Sequence, residues 1–225
     1  AALEGFDADP AILGPRREAS GWAHALAAAL EPDEAPIDVS RLHALAARAD
    51  RFMDGMDFRF LLDRQRQIFS IGFRLPDADG PGRLDPSFYD LLASEARLAS
   101  FIAIAKGDVS DTHWFHLGRL LTDVQGASTL LSWSATLFEY LMPLLVMKSY
   151  DDTLLDQSCR RAVRRQVEYG REQGVPWGIS ESAFNLVDRH GNYQYKAFGV
   201  PGLGLKRGLA DDLVVSPYAT ALAAM

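Results

Sequence analysis

Apolar positions along this chain follow a helical period for most of its length, with one stretch where the period shortens to that of a strand. Arg16 to Leu30 is alanine-rich and reads as a helix ended by Glu31-Pro32-Asp33. From Ser40 to Met56, Leu42, Leu45, Ala46, Ala49, Phe52, Met53 and Met56 fall on one helical face. The period then changes: Phe58-Arg59-Phe60-Leu61, a polar turn at Asp63 to Arg66 and Ile68 to Phe73 predict a β-hairpin. Pro76 to Gly82 is a loop. Asp85-Pro86 supplies an N-cap and a first-turn proline, predicting a helix that continues to Lys106.

Further along, His113 to Leu117 is expected to form a short helical turn and residues 121–130 a loop. Helices are predicted from Ser132 to Met147 and from Asp152 to Glu172, the second closed by Gly174 and Pro176. Residues 177–215 read as irregular and rich in glycine and aromatics, and so long a stretch inside a compact domain is often functional. Ser216-Pro217 opens a last helix. These elements suggest an all-α fold of antiparallel helices with one small hairpin and long loops carrying the aromatics.

Composition narrows the function. At 225 residues, 48% hydrophobic and 24% charged, the chain is an ordinary globular sequence. Its net charge of −7 gives no global field that would attract nucleic acid. Arg160, Arg161, Arg164 and Arg165 share a predicted helix with Asp151, Asp152, Asp156 and Glu168, which reads as a solvated, ion-paired face. The single cysteine, Cys159, rules out an internal disulfide and reads as a small core residue. The longest apolar run, Leu137 to Met147, contains Glu139 and Pro143 and is too short to span a bilayer, so no membrane contact is expected of this segment. Both ends read as cut from a longer polypeptide.

The candidate chemistry centres on acids. Val175 to Asn185 holds Glu181 between Trp177 and small polar residues, with Tyr193-Gln194-Tyr195 close behind. Aromatic faces pack on the C–H faces of sugars while carboxylates and amides take the hydroxyls. Glycosidic chemistry needs a second carboxyl group. On the predicted helix 85–106, Glu95 is surrounded by Leu91, Leu92, Leu98 and Ala99, with Phe88 and Ile102 a turn further away. Burial there would raise its pKa toward that of a proton donor; the alternative is an ion pair with Arg97 or another arginine. Glu139 has similar apolar neighbours. Pro143 cannot donate to the carbonyl of Glu139, so the helix should kink there and leave that oxygen free; Glu139 suits a structural or sugar-hydroxyl role. His24, His43, His113, His116 and His190 show no metal-ligand spacing, and no metal or cofactor is expected. Gly202 to Gly208 matches no nucleotide-binding fingerprint and reads as a tight turn.

Leu84 to Leu98, His113 to Arg119, Phe138 to Pro143, Gly174 to Asn185 and Asn192 to Gly208 together resemble the glycoamylase-like region of cyclic β-1,2-glucan synthases. The resemblance covers residues 52–225; residues 1–51 carry little of it and read as lead-in helices. It departs from the family at Ala135, where many relatives carry glycine, and in the variable loop at Arg189-His190-Gly191. These synthases are long bacterial inner-membrane proteins, so the resemblance implies a cytoplasmic-facing domain whose partners are the other domains of the same polypeptide.

The resemblance also implies an (α/α)6 toroid, here an incomplete fragment, acting on linear β-1,2-glucan with retention of configuration. By the same resemblance Glu95, in Ser-Glu-Ala-Arg, is the acid/base and Glu181, in Gly-Ile-Ser-Glu, the nucleophile. Trp133, Tyr140, Trp177, Tyr193 and Tyr195 would be sugar platforms, with Arg97, Glu139 and Asn185 fixing hydroxyls or carboxylates. An inverting endo-β-1,2-glucanase and a non-catalytic glucan-holding module are the rival readings.

Overall fold

The computed structural model describes residues 20–28, 38–78 and 80–224. The chain divides into two units, Ala1–Met53 and Asp54–Met225. In the first, the described residues are helical at 20–28 (α1) and in α2, Val39–Gly55, which runs on just past the boundary. The ends of the predicted first helix lie outside the described residues. The expected apolar stripe of α2 is present but uncovered, with Leu42, Leu45 and Phe52 exposed.

In the second unit the hairpin forms where the period shortens. A single 3-10 turn, Arg59–Leu61, leads into β1, Leu62–Asp63, which pairs antiparallel with β2, Ile68–Ser70. Asp63 fixes the turn by accepting from the backbone N–H groups of Gln65 (2.9 Å) and Arg66 (2.8 Å). A second small ladder joins β3, Phe73–Arg74, to β4, Arg83–Leu84. The segment expected to be helical from Asp85 is not. Phe88–Tyr89 forms β5 and pairs with β2, with Phe69 opposite Tyr89 and Ser70 opposite Phe88. Asp85 caps only its own turn, accepting from the N–H of Ser87 at 2.9 Å. The helix α3 spans Arg97–Ala105 alone. Residues 91–94 are buried outside any helix, with Leu92 N–H donating to Gly118 O at 3.0 Å. A short buried apolar run satisfies either period, and strand pairing with β2 decides it here.

The short helix α4, Thr112–His116, matches its expected turn. Residues 121–130 are not a loop but a hairpin of β6, Leu121–Val124, and β7, Ala127–Leu130. Gln125 and Gly126 both have positive φ, as a tight two-residue hairpin turn requires. The predicted helix 132–147 shrinks to α5, Leu137–Leu141, followed by one 3-10 turn at Met142–Leu145. The long helix α6, Leu154–Gln173, forms nearly as read, with Thr153 capping the N–H of Asp156 and Gly174 left-handed at its end. The expected ion-paired face is present in part: Arg160 pairs with Asp151 and Asp156, and Arg165 with Glu168 and Glu172, while Arg161 donates instead to Ser128 O and Gln157. Beyond it, β8, Ser182–Val187, pairs with β9, Tyr193–Lys196, and α7, Pro217–Ala223, closes the chain.

The all-α expectation is therefore overturned, and with it the toroid. Of the described residues 41% are helical and 19% lie in strands, in several small antiparallel sheets. The main core gathers Leu130, Leu137, Tyr140, Ile179, Val200 and Leu203 around α5 and α6. Full burial of each aliphatic side chain contributes about 1.5–3 kcal/mol. No helix among the described residues is long and apolar enough to cross a membrane.

Candidate active site

Two segments carrying the predicted acids are fastened by different devices. Glu95 lies in the turn before α3, not mid-helix, and is half-buried. Ser94 organises that turn: its hydroxyl accepts from Ala96 N–H (3.2 Å) and lies 3.3 Å from Glu95 Oε2, while its carbonyl accepts from Arg97 N–H (3.2 Å). Arg97 is 1% exposed and does not face the cleft described below. Its guanidinium donates to three carbonyl oxygens, those of Ser94 (2.9 Å), Glu139 (2.8 Å) and Tyr140 (2.5 Å). Among the described residues the alternative ion pair of Glu95 with Arg97 is absent, and Arg97 itself does not line the cleft but bonds from behind to the carbonyls of two residues that do, Ser94 and Glu139. The arginine instead ties the turn of Glu95 to α5.

Glu181 sits at the head of β8 on a heavily tethered strand. Gln166 of α6 exchanges two hydrogen bonds with Ile179, at 2.7 and 2.8 Å. The hydroxyl of Ser180 accepts from Phe138 N–H at 3.0 Å, and the Tyr218 hydroxyl of α7 donates to Glu181 O at 2.8 Å. Ser216 N–H donates to Gly178 O at 2.8 Å. Helices α5, α6 and α7 thus all hold the backbone that presents this carboxylate.

The two acids meet in one cleft of about 540 Å³, lined also by Phe88, Tyr89, Asp90, Trp133, Ser134 and Glu139. Burial raises the pKa of the Glu181 carboxyl; the Tyr195 phenol beside it pulls the other way, and the charge of Glu95 adds to the rise. Burial likewise raises the Tyr89 phenol, with Glu95 contributing. Tyr195 is pushed up to about 12 by desolvation and by Glu181, so it remains a neutral donor. Groups on β5, α5 and β9 therefore all feel the charge of Glu95, as they would across a shared hollow.

Glu139 borders the cleft, but its carboxylate is spoken for. It accepts from Ser132 Oγ (2.8 Å), Ser134 N–H (2.9 Å) and Thr136 N–H (3.0 Å), and completes a capping box with Thr136 at the start of α5. Burial raises its pKa against the pull of those donors. Of the two roles open to it, the structural one accounts for every bond observed.

The platforms divide. Trp133 stands in the cleft wall with its indole N–H donating to Asp90 Oδ1 at 3.0 Å. Tyr195 is exposed on β9 beside Glu181, and Tyr193 is exposed two residues before it. Tyr140 is no platform: it is fully buried, its hydroxyl 2.7 Å from Leu130 O and 2.9 Å from Leu203 O. Trp177 does not line the cleft either; it packs on the main core, against Gly170 of α6. Asn185 lies exposed on β8, outside the cleft lining. Sequence reasoning missed Asp90 altogether. Its setting beside Tyr89, at the end of a strand misread as helix, hid it.

The loop 199–206 backs the Trp133 segment at very close range. An added Cβ on Gly199 would stand 1.7 Å from Ser134 O, so only glycine fits. Lys206 N–H donates to Trp133 O at 2.8 Å and Leu205 N–H to Ser132 O at 3.1 Å. The Gly202–Gly208 stretch is thus a scaffold for the cleft wall. Among the described residues no group of three or more His, Cys, Asp or Glu is arranged to hold a metal ion.

With this geometry in place, comparison with known proteins identifies the class. A family model described as Glycoamylase, putative glucoamylase, matches residues 87–225, and the chain belongs to that family. Over 217 residues, 92% of its length, the chain is 46% identical to the cyclic beta-(1,2)-glucan synthase NdvB of Rhizobium meliloti (strain 1021). It spans 8% of that relative.

Proposed function

We propose that this chain carries a glucan-acting site within a cyclic β-1,2-glucan synthase, cutting linear β-1,2-glucan and closing it into a ring by retaining transglycosylation. The observation that carries the reading is the convergence of Glu95 and Glu181, distant in sequence, on one cleft walled by Trp133. The likeness to NdvB supports the glucan as substrate. The same reading makes the other domains of a longer inner-membrane polypeptide its partners and puts the site on the cytoplasmic side.

In the first step a carboxylate oxygen of Glu181 attacks the anomeric carbon. The bond from that carbon to the leaving oxygen breaks as Glu95 gives that oxygen its proton, leaving a glycosyl ester on Glu181. In the second, Glu95 takes the proton of a hydroxyl at the far end of the same glucan. That hydroxyl oxygen displaces Glu181 from the anomeric carbon, restoring both acids. The Tyr195 phenol favours the ionised form of Glu181 that the attack requires.

Linear β-1,2-glucan incubated with the intact protein tests the reading. Rings are the expected product, and Glu95→Gln and Glu181→Gln are each expected to abolish them. Short linear products with inverted anomeric configuration, or undiminished ring formation by both variants, would overturn it.

A further inference from the structure

The cleft holds a carboxylate with no part in the chemistry above. Asp90 lies at the end of β5, its backbone fixed by Gly118 N–H donating to Asp90 O at 2.6 Å. Its Oδ1 takes the indole N–H of Trp133 at 3.0 Å, which bridges the β5 segment to the 132–136 segment. Among the described residues no hydrogen bond or ion pair occupies Oδ2, and Asp90 lines the cleft. Trp133 is 43% exposed, so part of its ring surface is open to the same space.

An indole surface held beside a carboxylate with an unused acceptor is a matched pair for a pyranose. The ring packs on axial C–H groups while the carboxylate accepts from a hydroxyl at the sugar's edge. The lining contains Asp90, Glu95, Glu139 and Glu181 and no lysine, arginine or histidine. Such a wall favours neutral sugars, whose hydroxyls donate, and repels carboxylated or phosphorylated ones.

Resting on the glucan reading above, we infer that Asp90 and Trp133 form a hydroxyl-anchoring subsite that selects an uncharged hexosyl unit. Asp90 has two tasks in it: Oδ1 sets the orientation of the Trp133 ring and Oδ2 binds the sugar. Losing the ring's tether as well as the hydroxyl contact makes Asp90→Ala more damaging than either loss alone. Asp90→Asn keeps an acceptor for the indole and removes only the charged contact.

The test is a tryptophan-fluorescence titration of the intact protein with linear β-1,2-gluco-oligosaccharides, in a Glu181→Gln background that prevents turnover. Asp90→Asn is expected to raise Kd about ten-fold and Asp90→Ala toward a hundred-fold, as loss of a hydrogen bond to a charged group does. In the active protein Asp90→Asn should raise KM far more than it lowers kcat. Asp90→Ala and Trp133→Phe should be less than additive together. A uronic-acid oligosaccharide should bind poorly and gain affinity in Asp90→Asn. If the parent protein binds the glucan and a folded Asp90→Asn binds it equally well, the subsite is refuted alone. If the parent protein gives no response to the glucan, the glucan reading fails and the subsite with it.

Discussion

The guanidinium of Arg97 donates to the carbonyl oxygen of Glu139 at 2.8 Å, occupying an acceptor that helix geometry leaves open. Pro143 stands four residues after Glu139 and has no N–H, so α5 cannot continue its ladder there. Arg97 takes the oxygens of both Glu139 and Tyr140, and by its third bond, to Ser94, fastens the turn that carries Glu95. Burial lowers the pKa of this guanidinium, against a rise from nearby Cys159 and Glu95, yet an arginine stays charged. Removing the side chain strips Glu139 O of its partner, leaves Ser94 O with only the backbone N–H of residue 97 and Tyr140 O with only the weak Cys159 thiol, and opens a cavity. Arg97→Leu is expected to destabilise the fold by about 3–5 kcal/mol in urea unfolding. Arg97→Lys, which cannot span the same three acceptors, should recover only part of that. A variant as stable as the parent would refute the clasp.

Glu181 gives a prediction in pH. Its pKa is raised, mainly by burial, so in the mechanism proposed above the ionised form that attacks is lost at higher pH than for an ordinary glutamate. The acid limb of the kcat/KM profile should therefore lie at higher pH than an unperturbed glutamate would set. Tyr195→Phe removes the group that holds the carboxyl down, and should move that limb to still higher pH. An unmoved limb in Tyr195→Phe would detach this phenol from the nucleophile.

His113 gives a prediction in stability. It is 1% exposed, its ring centroid 4.5 Å from that of Phe69. Nδ1 lies 2.7 Å from Gln67 O and Nε2 2.9 Å from Ser100 Oγ, which suits a neutral ring donating through Nδ1 and accepting at Nε2. Burial lowers its pKa below 6.5; the bond to Gln67 opposes this and His116 adds to it. The unfolded chain thus binds this proton more readily than the folded one. The stabilising contribution is complete above pH 6.5 and is lost as pH falls toward the folded value. Urea midpoints at pH 7.5 and pH 5.5 should separate more in the parent protein than in His113→Gln; equal separations would exclude the effect.

Sequence patterns were enough for α6, where a capping threonine, a long 3.6-residue period and a terminal glycine agree, but not for residues 85–96. There Leu91, Leu92, Glu95 and Leu98 have helical spacing, while the bonds that matter run to β2 and Gly118, far away in sequence. The buried helical stripe that would surround Glu95 does not form, yet Glu95 borders the cleft from the turn before α3. The β6–β7 hairpin escaped because its strands lack a strong alternation, although Gln125-Gly126 carried the turn signal. Arg97, Tyr140 and Trp177 have residue types suited to sugars; burial, which only tertiary packing decides, assigns them to the scaffold.

Ala135 allows a prediction in the opposite direction. Its φ is 58°, in the left-handed region, and it is fully buried between the cleft wall and the 199–204 loop. An alanine there costs about 1–2 kcal/mol of backbone strain that glycine avoids. Glycine would give some of this back through the greater freedom of its unfolded chain, and would lose the packing of one methyl group. The methyl faces Gly204, where a side chain would have to start 2.9 Å from it, so no side chain of that residue packs on the methyl. Relief of strain should therefore prevail, and Ala135→Gly is expected to raise stability by about 0.5–1 kcal/mol. Ala135→Val adds branching at a positive φ and should be destabilising, well beyond 1 kcal/mol. Thermal unfolding of the pair against the parent protein checks both signs. Destabilisation by glycine would mean that the methyl contact with the loop outweighs the backbone strain.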